Sequence, residues 1–110
     1  MVKEIALIKR KPGLSREEFS RHYEEVYVPL IWKYSPPIKR YVRNYIINPF
    51  VGEEPDFDCI TEVWYENMEG FKAFGKVRNS EAGKVIIDNE AKFMDRSKIA
   101  AFLVEEKVSK

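Results

Sequence analysis

The stretch HYEEVYVPLIWKY, residues 22 to 34, contains the only histidine of the chain and three of its six tyrosines. An imidazole changes charge near neutral pH and is a common proton carrier in enzymes. His22 and Tyr27 are separated by about 140° on a regular helix, so they do not form a dyad unless the helix is bent. We therefore interpret His22 as a residue at the edge or surface of the helix, with proton transfer as the alternative.

A second group of reactive side chains lies on two predicted strands. If the segment 49–57 closes symmetrically, Asn44 and Glu62 are near neighbours across the strands, with Trp64 on the same side as Glu62. An amide, a carboxylate and an indole facing a cavity would suit an aromatic or enolic ligand. Two interpretations stay open: a pocket in which burial raises the pKa of a catalytic Glu62, or a polar surface pair beside a half-buried tryptophan.

Other reactive side chains are interpreted as structural. Tyr41 and Tyr45 point to the opposite face of their strand from Asn44, and the sequence does not tell which face is turned towards the helices. We favour packing roles for both tyrosines. Asp95 is expected to cap the turn before Ser97. Cys59, the only cysteine, is expected to be a small buried residue.

The first helix, which carries His22 and Tyr27, has a well-marked start. Ser15 and Glu18 form a capping-box pattern, and Leu14 and Phe19 occupy the positions of a hydrophobic staple. Pro29 is expected to kink the helix near Val26, and SPP at 35 to 37 to end it. The spacing predicts a core-facing stripe of Phe19, Tyr23, Val26 and Leu30. On an ideal helix Tyr27 and Tyr34 lie on one shoulder of that stripe and His22 on the other.

The remaining elements complete a βαββαβ order in one domain of 110 residues. A helical region after residue 66 has Asn67 or Ser80 as candidate caps, and its glycines predict two shorter helices. This order is typical of a ferredoxin-like α+β sandwich with helices on one face of an antiparallel sheet. The predicted strands are Val2–Arg10, Ile38–Ile47, Asp58–Tyr65 and Ile99–Glu106.

Both faces of the predicted strands are apolar: in the first strand, Ile5 and Leu7 lie on one face, and Ala6 and Ile8 lie on the other. A sheet with one face in water alternates more cleanly. We expect a second copy of the chain to cover the other face, which predicts a homodimer through the sheet.

Composition excludes several functional classes. Nineteen basic and eighteen acidic residues give a net charge of +1, without the basic stripe of a nucleic-acid-binding protein. A single histidine and a single cysteine exclude a usual zinc site, and no glycine-rich phosphate loop or dinucleotide fingerprint is present. No segment is long enough to span a membrane and the N-terminus does not resemble a signal peptide, so we expect a cytoplasmic protein. We also expect no tightly bound cofactor.

Four segments resemble the EthD family of dimeric α+β barrel proteins: LIKRKPGLSREEFSRHYEEVYVPL, RYVRN, DCITEVWYENMEGF and EAKFMDRSKIAAFLVEE. The resemblance extends from Val2 to Glu106 and implies a homodimer whose two sheets form a barrel. Each subunit would have a cavity between its sheet and its own helices. The wider superfamily includes cyclases, isomerases, decarboxylases, dehydratases and oxygenases, so the resemblance implies no single reaction.

One departure from the family pattern concerns catalysis. The family commonly has a tryptophan, three residues, a histidine, one residue, then proline and leucine. This chain has Tyr23 and Tyr27 at the first two positions and keeps Pro29 and Leu30. A tyrosine with a pKa of about 10 is a poor base at neutral pH, but Tyr27 could donate a hydrogen bond to a carbonyl or enolate oxygen.

Our first hypothesis is a homodimeric, cofactor-independent enzyme for a small apolar or aromatic carbonyl or phenol compound. The reaction would be a cyclisation, dehydration, isomerisation, decarboxylation or cofactor-free oxidation. Tyr27 would donate the hydrogen bond and Glu62 or His22 would be the base, while the pocket would be lined by Tyr23, Tyr41, Asn44 and Trp64. The alternative is a non-catalytic binding or accessory protein with the same cavity, and a third possibility is a purely structural dimer.

Overall fold

The computed structural model describes residues 1–34 and 37–109 and has the predicted βαββαβ order. A π-helical turn, Tyr23–Tyr27, joins the first two helices, and a short 3-10 helix, Arg96–Lys98, precedes the last strand. Each predicted strand is present, with its ends at the predicted limits or one or two residues inside them. The elements are β1 Val2–Ile8, α1 Arg16–His22, α2 Val28–Tyr34, β2 Ile38–Tyr45, β3 Cys59–Tyr65, α3 Met68–Arg78, α4 Glu81–Phe93 and β4 Ala100–Val104.

The four strands form one antiparallel sheet in the order β2-β3-β1-β4, which confirms the ferredoxin-like α+β fold. Cys59, Thr61, Val63 and Tyr65 of β3 are buried towards the helices, whereas the residues between them are only partly buried. Because Glu4 pairs with Val63, the side chains of Glu4, Ala6 and Ile8 face the helices and those between them face away.

The predicted helix starts are largely confirmed. The backbone N–H of Glu18 donates to Ser15 Oγ at 3.1 Å, and the N–H of Ser15 donates to Glu18 Oε1 at 3.0 Å, which completes the capping box. Asn67 caps α3 by accepting from the N–H of Gly70 at 3.0 Å. Ser80 precedes α4 without a side-chain cap, since its hydroxyl donates to the carbonyl of Val77. The two shorter helices are confirmed, whereas Ser35 and Pro36 of the predicted helix end lie outside the described residues.

The core-facing stripe of the first helix differs from the prediction. Val26 is 44% exposed, whereas Tyr27 is only 5% exposed, so the placement of Val26 in the core is wrong. The physical reason is the π-helical turn, in which the N–H of Val28 donates to the carbonyl of Tyr23, five residues back. The wider turn rotates the following residues and gives a four-residue spacing of buried positions at Phe19, Tyr23, Tyr27 and Ile31.

Pro29 explains where this turn lies. A proline cannot donate to the carbonyl four residues earlier and crowds the preceding helical turn. The distortion expected near Val26 is therefore a π-helical turn immediately before Pro29, which keeps the helix continuous from α1 into α2. Its consequence is that Tyr27 points inwards.

Gly83 permits a close approach between α4 and the end of α3. A Cβ atom at residue 83 would lie 1.8 Å from the carbonyl oxygen of Arg78. Only a residue without a side chain fits this contact, because real Cβ atoms do not approach a carbonyl so closely. The contact sets the distance between the two helices that carry Arg78 and Glu90.

No helix within residues 1–34 and 37–109 combines the length and the apolar character that a bilayer crossing requires.

Gly83→Ala is expected to lower the free energy of unfolding by about 3 kcal/mol, because the backbone of Arg78 must move to admit the methyl group. Urea denaturation measures the effect. Gly75→Ala is the matched control: no atom lies within 4 Å of an added Cβ there, so the same change in a helix should stabilise the protein by about 0.5 kcal/mol. Equal effects at the two sites would contradict the steric account.

Candidate functional site

A cavity of about 750 Å³ lies between the sheet and the helices. This volume is within the range of pockets that bind small organic molecules. Strands β1 and β3 form its floor, and α3, α4 and the π-helical turn form its walls. Most of the lining is apolar or aromatic and includes Ala6, Ile8, Ile31, Val63, Phe71 and Phe74.

A buried ion cluster lies in the wall of this cavity. Glu90 of α4 is only 4% exposed. Its carboxylate accepts two hydrogen bonds from the guanidinium of Arg78, at 2.8 and 3.1 Å, and one from the hydroxyl of Tyr27 at 2.5 Å. Arg96 Nε lies 3.4 Å from Glu90 Oε1. The Glu90 cluster, as we call these four residues, therefore sets one carboxylate between two guanidinium groups and a phenol.

The charges of the cluster follow from its contacts. Burial, together with the charge of Glu90, raises the pKa of Tyr27 well above its ordinary value, so its phenol stays neutral. The hydrogen bonds to Glu90 raise the pKa of Arg78, which remains a cation. A neutral phenol, one carboxylate and two guanidinium groups give the Glu90 cluster a net charge of +1. The cluster can therefore attract a developing negative charge on a bound molecule.

Tyr27 reaches the cavity, but its proton is already engaged. A phenol has a single O–H donor, and Tyr27 donates it to Glu90. The expected donation from Tyr27 to a ligand oxygen would require this bond to be given up. Arg78 keeps further N–H groups beyond the two that reach Glu90, so it is the better placed donor.

Tyr23 and Tyr41 also line the cavity. Tyr23 shares a 2.6 Å hydrogen bond with Thr61 and accepts one from Tyr41 at 3.2 Å. Burial raises the pKa of both phenols, so neither supplies a base near neutral pH. Both tyrosines lie in the cavity lining, which settles the direction of Tyr41 that the sequence left open, and their contact with a substrate stays a prediction.

Asn44, Glu62 and Trp64 do not line this cavity: of the two open interpretations, the structure contradicts the pocket and agrees with the polar pair beside a half-buried tryptophan. Asn44 does contact Glu62, with Nδ2 donating to Oε2 at 2.9 Å, so their expected proximity on one face is confirmed. The register, however, places both on the face away from the helices, because Thr61 and Val63 occupy the opposite parity. Strand pattern alone could not decide between two apolar faces.

The surroundings of Glu62 also differ from those of a buried base. Lys3 Nζ lies 2.7 Å from Glu62 Oε1. The hydrogen bonds from Lys3 and then Asn44 lower the pKa of Glu62, the opposite of the rise that catalysis by this residue would need. Two cations contact the ring of Trp64, Lys3 Nζ at 4.6 Å and the guanidinium of Arg40 at 4.8 Å from its centroid.

His22 also lies outside the cavity lining, at the contact between α1 and α4. Its Nε2 is 3.0 Å from Asn89 Oδ1, and its ring stacks on Phe93 with centroids 4.7 Å apart. The interpretation of His22 as a helix-edge residue agrees with these contacts, whereas a base in the cavity does not. Asp95 caps its turn as expected, accepting from the N–H and hydroxyl of Ser97 at 3.1 and 2.6 Å.

The sequence interpretation missed the charged residues of the cavity lining, which are Glu4, Lys72, Lys76, Arg78, Glu90 and Arg96. A signal existed for Glu90. It lies between Ile86 and Phe93 at the i, i+4, i+7 spacing of the apolar face of α4. A carboxylate inside an apolar stripe indicates a buried charge that needs a partner.

The family model of the EthD domain matches residues 11–97. The chain belongs to the EthD family. No curated protein sequence matches the chain significantly.

Solved structures share the fold of this EthD protein. A Bacillus halodurans protein of the EthD family superposes with a TM-score of 0.70 at 20% identity, over 97% of this chain and 100% of that chain. A dimeric ferredoxin-like protein of unknown function from Bacteroides fragilis has a TM-score of 0.64 at 15% identity, over 96% and 95%. A hydroxynitrile lyase from Passiflora edulis has a TM-score of 0.68 at 15% identity, over 98% and 96%. At these identities the likeness shows the fold alone.

Glu90→Gln is expected to lower the free energy of unfolding by about 2 kcal/mol, because Arg78 and Arg96 lose their shared counter-charge. Urea denaturation at neutral pH measures the change. The control is Glu17→Gln, which removes the same charge from the exposed Glu17–Arg21 pair and should change stability by less than about 0.5 kcal/mol. A Glu90→Gln protein as stable as the control would show that the cluster is not a constraint on the fold.

Proposed function

We propose that this EthD protein is a homodimeric, cofactor-independent enzyme for a small apolar or aromatic carbonyl or phenol compound. The compound would lie in the cavity between sheet and helices, with its oxygen against Arg78. The observation that carries the proposal is a half-buried guanidinium, held by the buried Glu90 carboxylate that Tyr27 also contacts, at the wall of a largely apolar cavity. Such an arrangement stabilises negative charge that forms on a ligand oxygen.

The proposed reaction classes share one requirement. Cyclisation, dehydration, isomerisation, decarboxylation and cofactor-free oxidation of carbonyl or phenol compounds can each pass through an enolate or phenolate. A fixed cation next to that oxygen lowers the barrier because it needs no reorganisation as the charge forms. In this proposal Arg78 contacts the oxygen, Tyr27 positions Glu90 and Arg78, and Tyr23 and Tyr41 form the aromatic wall.

The contacts of Tyr27 and His22 support a second candidate function. The proton of Tyr27 is engaged by Glu90, and His22 lies outside the cavity. Neither residue supplies the proton transfer that an enzyme of this kind needs. A non-catalytic protein that binds the same compounds for an oxidative or biosynthetic pathway would use the same cavity and the same Arg78 contact.

The outer face of the sheet supports the homodimer. Ile5, Leu7, Val42, Ile60 and Phe102 face away from the helices and are only partly covered within one chain. An apolar sheet face of this kind is normally covered. The dimeric ferredoxin-like relative from Bacteroides fragilis supports a second copy as the cover. Asn44, Glu62 and Trp64 would then be interface residues.

The ligand site is tested with para-nitrophenol, whose absorbance distinguishes its neutral and ionised forms. The wild-type protein is expected to bind the phenolate and to lower the pKa of the bound probe by about one unit, equivalent to a tenfold preference. Arg78→Met should lose that preference, because the cation nearest the probe oxygen is gone.

Arg21→Met is the control, since Arg21 is exposed and pairs only with Glu17 among the described residues. It should bind like the wild type. Unchanged phenolate binding by Arg78→Met would overturn the assignment of Arg78. Native mass spectrometry of the protein as purified also tests for a small molecule carried in the cavity.

Phe102→Glu is expected to convert the dimer to a monomer, because a carboxylate would be buried opposite an apolar sheet face. Light scattering after size exclusion gives the mass. Phe102 is 46% exposed in the single chain, and Phe50 in the loop before β3 is 97% exposed. Phe50→Glu introduces the same charge away from the sheet and should remain dimeric. A wild-type monomer would contradict the dimer proposal.

A further inference from the structure

We propose that Glu4 is the base of the cavity: its carboxylate accepts a proton from the carbon next to a carbonyl group whose oxygen is held by Arg78. The inference rests on the proposed function and deepens it, because it separates proton transfer from charge stabilisation. It also decides between the enzyme and the binding protein, since a base is what the binding protein lacks.

The sheet register fixes where Glu4 lies. Glu4 is in the middle of β1, paired with Val63 of β3 and Leu103 of β4. Its side chain is on the helix-facing side with Ala6 and Ile8, and all three line the cavity. A group on the central strands of a sheet is held more rigidly than one on a loop, as proton transfer requires.

Glu4 has few polar partners. The hydroxyl of Tyr65 donates to Glu4 Oε1 at 3.4 Å, a long hydrogen bond. Within residues 1–34 and 37–109 no cation lies within ion-pair distance of Glu4, whereas Glu90 on the other side of the same cavity has two. A carboxylate that is not neutralised keeps its lone pairs available for a proton.

The electrostatics of the site agree with this role. Burial raises the pKa of Glu4, and the hydrogen bond from Tyr65 and the charge of Arg78 oppose the rise. A raised pKa brings a carboxyl closer to neutral pH and makes it a stronger base. Placing such a group in an apolar wall costs stability, which is a feature of functional sites.

The proton transfer balances without a further reactant. The Glu4 carboxylate takes the proton from the carbon, and the electron pair of the C–H bond forms a C=C bond while the carbonyl electrons move to oxygen. Arg78 holds the resulting enolate oxygen. Glu4, now a carboxylic acid, returns the proton to another carbon in an isomerisation, or to a departing hydroxyl group as water in a dehydration. The substrate class is a neutral carbonyl compound with an acidic C–H bond.

The probe for this step is β-tetralone, an aromatic ketone with acidic C–H bonds. In deuterium oxide, removal and return of a proton replaces its hydrogen by deuterium, which proton NMR follows. The wild type is expected to accelerate exchange over buffer. Glu4→Gln should reduce the acceleration at least about a hundredfold, the usual contribution of a general base. Glu17→Gln, a charge removal at an exposed site, is the control and should leave exchange unchanged.

Stability separates a catalytic from a structural role of Glu4. Because the folded-state pKa is raised, ionisation opposes folding, and the stability of the wild type should fall as pH rises from the unfolded to the folded pKa. Glu4→Gln should therefore melt at the same or a higher temperature at neutral pH while losing exchange. A lower melting temperature with exchange retained would overturn the proposal.

Tyr65→Phe gives a second readout. Tyr65 and Arg78 are the groups that lower the Glu4 pKa, and loss of the Tyr65 hydroxyl should raise it further. The rate of deuterium exchange increases as Glu4 ionises, and the midpoint of this increase should then lie at higher pH than in the wild type. An unmoved midpoint, or a wild type that does not accelerate exchange, would contradict the role of Glu4. A wild-type protein that does not bind para-nitrophenol would instead refute the ligand cavity itself.

Discussion

The cost of burying the Glu90 carboxylate is the constraint on which the cavity wall depends. A charge in an apolar interior is tolerated only when counter-charges and hydrogen bonds compensate it. The partners of Glu90 come from three other parts of the chain: Tyr27 from the π-helical turn, Arg78 from the end of α3, and Arg96 from the 3-10 helix. One buried carboxylate thus couples α4 to the elements around it, and Gly83 gives α4 and α3 the approach that the Arg78 contact needs.

The π-helical turn links this cluster to the local chemistry of the chain. Pro29 cannot complete the helical hydrogen-bond ladder, and the extra residue per turn before it rotates Tyr27 into the core in place of Val26. Tyr27 in this orientation gives the Glu90 carboxylate a hydrogen bond that the side chain of Val26 could not donate. A local irregularity in the backbone therefore decides which side chain reaches the cavity, as is common for π-helical turns at functional sites.

Local signals predicted the fold well and the site poorly, for a physical reason. Capping and strand patterns act over a few residues, so the Ser15 cap and the βαββαβ order could be predicted from the sequence. The side of the sheet that faces the helices depends on contacts between distant elements, and both faces of this sheet are apolar. The face of the sheet that lines the cavity therefore remained open, Glu62 was considered as a candidate base, and Glu4 was overlooked. Glu90 was detectable as a carboxylate in an apolar stripe, but its arginine partners lie on other elements.

Two carboxylates face one cavity, and their surroundings separate their roles. Glu90 is neutralised by guanidinium groups and holds Arg78 in place, whereas Glu4 has a single long hydrogen bond and a raised pKa. Pairs of titratable groups whose environments push their pKa values apart are a common way to divide charge stabilisation from proton transfer. In this chain Tyr27 occupies the position where the family pattern has a histidine, and its hydroxyl donates its hydrogen bond to Glu90. A base on β1, in the floor of the cavity, would supply proton transfer, so the absence of the histidine does not by itself imply the absence of catalysis.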